Sequence, residues 1–84
     1  MERKIIFENE DIEIKTTGHD YDFVATIYNK TDKNMQFGIA EFGLDTNWEI
    51  PPRDWIGVEA NEIVDDVIDC LEAGNFDYVL DYRR

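Results

Sequence analysis

Eighty-four residues give room for one domain, 1–84, and not for a second core. Twenty Asp and Glu against eight Lys and Arg set the net charge at −12, which repels nucleic-acid phosphates and anionic membrane faces and attracts basic surfaces. Cys70 is the single cysteine, so no intramolecular disulfide forms, and no run approaches the roughly 18 apolar residues of a membrane span.

At 43% hydrophobic and 13% aromatic residues, the chain can bury a compact core in spite of its charge. A domain of this size buries only roughly 60% of its unfolded surface, so little core can be given up to an internal cavity. In Met1-Glu2-Arg3-Lys4-Ile5-Ile6-Phe7 the basic residues are followed by a run of only three apolar ones before Glu8, too few for a signal peptide, and the expected location is the cytoplasm.

Lys4–Phe7 and Ile12–Lys15 read as short strands around the polar turn Glu8-Asn9-Glu10-Asp11. In the second, Ile12 and Ile14 alternate with Asp11, Glu13 and Lys15, the pattern of a sheet with one wet face. Thr17-Gly18-His19-Asp20 supplies turn chemistry. Tyr21–Asn29 follows as an aromatic and β-branched strand, with Phe23, Ala25 and Ile27 on one side and Asp22, Val24, Thr26 and Tyr28 on the other. Lys30-Thr31-Asp32-Lys33 reads as a hairpin loop into a return strand, Met35–Phe42, whose inner face is Met35, Phe37 and Ile39. Glu41 would then point inward and Phe42 outward, so a bulge or a strand end near Gly38–Ala40 is expected.

From Gly43 to Asp54 the chain reads as irregular, because Pro51-Pro52 forbids a central strand or a helix interior. Trp48, Ile50, Trp55, Ile56 and Val58 are expected to fold this connection back over the core. Glu62–Ala73 is the clearest helix: Asn61 is a good N-cap, Gly74 a good terminator, and Ile63, Val64, Val67, Ile68 and Leu71 recur at helical spacing. Phe76–Tyr82 alternates as a final strand whose partner the sequence leaves open. The order predicts an α+β fold: a small antiparallel sheet of four to five strands with one amphipathic helix packed on one face.

Charge is unevenly spread. Residues 1–40 carry eight acids and five bases, residues 41–84 twelve acids and three bases, and from Glu59 to Asp81 there are eight acids and no base. On a helical wheel Glu62, Asp65, Asp66, Asp69 and Glu72 fall within about a 120° arc opposite the apolar stripe. Like charges three and four residues apart cost a few tenths of a kcal/mol each, where Glu–Lys pairs would have stabilised the helix. The row therefore reads as a partner-binding surface, extended by Glu59, Asp77 and Asp81, set against the plainer reading of a solvated face.

Catalysis has little to stand on. The chain has no serine, and its one cysteine lies at the edge of the apolar stripe among carboxylates, which disfavour a thiolate. His19 sits in a turn beside Asp20. Asp65, Asp66 and Asp69 could hold Ca²⁺ or Mg²⁺ loosely, but no EF-hand loop is present, and no cofactor or metal is expected. Trp48 and Trp55 flank the double proline as core residues or interface anchors.

In size, in the 59–81 acidic stretch and in its lack of catalytic residues, the chain resembles the small acidic DNA-mimic inhibitors encoded by bacteriophages and mobile elements. That resemblance implies a protein that is no enzyme, works in the host cytoplasm, and occupies the DNA-binding face of a basic nucleic-acid-binding protein. Such targets include a histone-like HU protein, a restriction factor, a CRISPR effector or a polymerase. Direct binding to nucleic acid or membrane is not expected. Two other readings stay open: an acidic adaptor or immunity-type protein that binds a basic enzyme or toxin without mimicking DNA, and an assembly module that forms a homodimer through a sheet edge.

Overall fold

The computed structural model describes residues 4–16, 23–41, 44–59 and 64–80. Within them the chain runs β1 (Lys4–Glu8), β2 (Ile12–Thr16), β3 (Phe23–Asn29), β4 (Met35–Glu41), β5 (Leu44–Ile50), β6 (Trp55–Glu59), α1 (Val64–Ala73) and β7 (Asp77–Leu80). The fold is α+β with antiparallel strands and a single described helix, as the sequence predicts. Its strands form two sheets rather than one, ordered β1-β2-β3-β6 and β5-β4-β7.

Each sheet turns one face to a shared core. Ile12, Ile14, Ala25, Ile27 and Val58 come from the first sheet, Met35, Phe37, Ile39 and Ile50 from the second, and Val67, Cys70 and Leu71 from the helix. The helix packs closest against β1. Phe76, just beyond the helix, stacks on Phe37 at 5.0 Å between centroids and meets Phe7 edge-on at 5.1 Å, so one ring touches both sheets. Burying such rings is worth several kcal/mol, which in a domain this small is a large share of the total.

The hairpin expected between β3 and β4 does not form. Those strands lie in different sheets: β3 pairs with β2 and β6, and β4 with β5 and β7. Asn29 organises the crossing. It is fully buried, and its Nδ2 donates to the carbonyls of Lys33 (2.7 Å), Ile50 (3.1 Å) and Pro51 (3.1 Å). Its Oδ1 accepts from the Thr31 N–H at 2.9 Å and the Thr31 hydroxyl at 2.7 Å. One amide thus satisfies backbone groups of both the 31–33 connection and the corner at the end of β5.

The stretch 43–54, expected to be irregular, contains β5. Met35 pairs with Ile50 and Glu41 with Leu44 in unbroken register, so neither the bulge nor the strand end expected near Gly38–Ala40 occurs. Pro51-Pro52 falls at the corner after β5, where the Asp54 N–H donates to the Pro51 carbonyl at 3.2 Å and Arg53 takes a left-handed φ of 57°. Proline suits the second position of such a turn, so the two prolines end a strand instead of forbidding one.

Ladder irregularities occur elsewhere, between Ile5 and Phe7 in β1 and between Phe23 and Ala25 in β3. The second alters the expected facing of β3. Val24 joins Ala25 and Ile27 in the core, while the Phe23 ring lies over Gly57 and meets Trp55 edge-on at 5.7 Å. Trp55, expected over the core, is 49% exposed; Trp48 and Ile56 are half-buried against the core, and Ile50 and Val58 are buried in it.

Candidate functional site: an acidic helix face and a polar groove

The helix end is built as its sequence suggests. Gly74, at φ 78°, donates its N–H to the Leu71 carbonyl at 3.3 Å, and Asn75 donates to that of Cys70 at 2.8 Å. This pair of bonds is the Schellman motif, for which a left-handed glycine is the preferred residue. With the helix so terminated, Val67, Cys70 and Leu71 are buried and Ile68 half-buried. Asp65, Asp66, Asp69 and Glu72 stand exposed on the opposite face.

From Asp65 to Glu72 the ridge runs about 10 Å at the helical rise. Asp65 and Asp66 lie in the first turn, where the positive end of the helix dipole favours them. Glu72 lies in the last turn, where the dipole disfavours an acid, and that turn holds no base. Lys15 and Lys30 are engaged elsewhere, with Glu13 and Glu8, each at 3.3 Å.

The remaining residues of the predicted surface are dispersed. Glu59 is exposed at the end of the edge strand β6, opposite Phe23. Asp77 is exposed on β7, opposite Gly38, on the outer face of the three-stranded sheet. Glu62 and Asp81 lie outside the described residues, as does His19. Cys70 is buried within the core and forms no disulfide. Among the described residues no three His, Cys, Asp or Glu side chains gather to hold a metal ion, and no helix is long and apolar enough to cross a membrane.

Two features escape a reading of the sequence. The first is a groove of about 490 Å³ on the outer face of the three-stranded sheet, lined by Gln36, Gly38, Asn47, Asn75, Asp77 and Val79 among others. Gly38 sits opposite both Asn47 of β5 and Asp77 of β7, so no side chain rises from the central strand of that row. The signal available was a glycine within the strand-like run from Met35 to Phe42.

The second is a polar lock between the sheets. The Tyr78 hydroxyl donates to the Asp11 carboxylate at 2.7 Å and accepts from Asn9 Nδ2 at 3.1 Å. Asn9 Oδ1 in turn accepts from the N–H groups of Asp11 (2.7 Å) and Ile12 (2.9 Å), closing the β1–β2 turn. Burial, followed by the bond to Asp11, pushes the Tyr78 hydroxyl above its ordinary value of 10.0.

Comparison with protein-family models, curated proteins and solved structures finds no match to this chain.

Proposed function

We propose that this domain is an acidic protein-binding inhibitor that lays its helix ridge on the DNA-binding surface of a basic nucleic-acid-binding protein, of which a histone-like HU protein is one example. The observation that carries this reading is the exposure of Asp65, Asp66, Asp69 and Glu72 along one helix face, with no base in the last turn. Four carboxylates over about 10 Å match roughly four successive phosphates of one B-DNA strand, spaced about 3.4 Å along the axis. Self-repulsion along the row costs helix stability, and an external basic surface would offset that cost. The net charge of −12 would steer such a partner in from a distance.

The test is affinity capture from a bacterial lysate at low and moderate salt, followed by competition with duplex DNA for each recovered protein. DNA-binding proteins should be recovered, DNA should displace this chain from them, and the triple variant Asp65→Asn, Asp66→Asn, Asp69→Asn should recover far less. Equal recovery by the variant would overturn the ridge as the interface. Simultaneous binding of DNA and this chain would replace mimicry with an acidic adaptor.

A further inference from the structure

The geometry points to a binding site for an arginine side chain in the groove over Gly38. The site lies on the sheet, apart from the helix ridge, and does not depend on the function proposed above.

The groove is a consequence of one missing side chain. In the row Asp77–Gly38–Asn47 the outer strands carry exposed side chains and the central strand carries none. Strands lie about 4.8 Å apart, so the walls of this row stand about 10 Å from each other with Gly38 as the floor. The next row, Val79–Gln36–Glu49, closes one end with the exposed amide of Gln36. Gly74 and Asn75, which follow the helix, contribute to the lining. A volume of about 490 Å³ falls within the range of roughly 300–1,000 Å³ typical of ligand sites.

The surroundings select a cation. Asp77 is the one charged side chain of the lining and it is negative, while Gln36, Asn47 and Asn75 bring neutral carboxamides. A second, independent feature has the same sign: the groove includes the residues that terminate α1, where the helix dipole places partial negative charge. Helices commonly answer that end with their own Lys or Arg, and this one has Glu72 there and no base.

A guanidinium suits these acceptors better than an ammonium. It offers five donors in a fixed planar fork, enough to serve a carboxylate and several amide oxygens at once, and it gives up water more easily. The ligand class is therefore an arginine presented by a peptide or an exposed loop.

The experiment is an NMR titration of the intact chain with N-acetyl-arginine methylamide, with its citrulline and lysine counterparts as controls. Citrulline keeps the shape and removes the charge. Saturable shifts are expected at Gly38 and Asp77 and at the side-chain amides of Gln36, Asn47 and Asn75, weaker with lysine and absent with citrulline. Asp77→Asn, checked for an unchanged thermal midpoint, should weaken arginine binding roughly threefold. Shifts confined to Asp65–Glu72, equal responses to citrulline or lysine, or no saturable response would each overturn the assignment.

Discussion

The Tyr78 hydroxyl lies 2.7 Å from the Asp11 carboxylate, joining residues 67 apart in sequence and linking the edge strand of one sheet to the first turn of the other. Tyr78→Phe keeps the ring and removes the bond. Its partners are partly exposed and regain water, so the loss should be moderate, about 1–2 kcal/mol by urea denaturation at neutral pH. A variant as stable as the wild type would show that the two sheets are held by apolar contact alone.

The same bond sets a pH dependence. In the unfolded chain the Tyr78 hydroxyl ionises near 10.0; in the folded protein burial and Asp11 hold its proton to higher pH. A folded value above the unfolded one means that the stabilisation is complete below 10.0 and is lost as pH rises from there through the folded value. The stability gap between wild type and Tyr78→Phe should therefore be constant between about pH 7 and 9 and shrink above 10. Taking the difference between the two proteins cancels the other titrating groups. A gap that stays constant beyond pH 11 would contradict the assignment.

Asn29→Asp should be the most damaging single-atom change in the fold. The amide shares two hydrogens among the carbonyls of Lys33, Ile50 and Pro51; a carboxylate donates to none of them and brings a charge into a fully buried site. The expected cost at neutral pH exceeds about 3 kcal/mol. Part should return on mild acidification, because the protonated acid recovers one donor. A loss under about 1 kcal/mol at neutral pH would mean that the crossing is held by other contacts.

How much of this was legible depended on whether the relevant contacts were local. The helix was readable because Gly74 and the spacing of Val67, Ile68 and Leu71 are signals within a few residues of each other. The exposure of Asp65, Asp66, Asp69 and Glu72 followed from the same wheel. The strand Leu44–Ile50 also carries a local signal, since Leu44, Thr46, Trp48 and Ile50 alternate with Asp45, Asn47 and Glu49. It was outweighed by a double proline that lies just past its end. The division into two sheets was not legible: Asn29 and Met35 are close in sequence, and only bonds to distant Ile50 and Pro51 reveal that the chain crosses there. The groove over Gly38 needed the pairing of three strands, which no single segment encodes.

Gly57 tests the other face of the larger sheet. A Cβ placed there would fall 2.3–2.8 Å from three ring carbons of Phe23, so a side chain requires that ring to leave. Gly57→Val should cost about 1–3 kcal/mol although valine favours strands. It should also change Trp55 fluorescence, because Phe23 packs edge-on against that indole. In a Phe23→Ala background the same substitution should cost markedly less. Equal costs in both backgrounds would place the penalty in the backbone instead of the ring.

The acidic ridge makes a stability prediction that needs no partner. Asp66 and Asp69 are three residues apart, as are Asp69 and Glu72, and Asp65 and Asp69 are four apart; neighbours at these spacings sit about 5–6 Å from each other and repel. Asp69 belongs to all three pairs and lies beyond the dipole-favoured first turn, so Asp69→Asn removes every one of these repulsions; Asn is an indifferent helix residue, and the net gain should be small and positive. Salt should act on the wild type in the same direction. At 0.1 M the screening length is about 10 Å, comparable to the length of the whole ridge, and the net charge of −12 adds longer-range repulsion that screening also weakens. Thermal midpoints should therefore rise with NaCl up to a few hundred millimolar, and the rise should be smaller in Asp69→Asn. Sodium chloride is the right probe, since sulfate would add a general strengthening of apolar burial. A wild type indifferent to salt, or a variant less stable at every salt concentration, would mean that these carboxylates take part in stabilising contacts and are not a repulsive row held open to solvent.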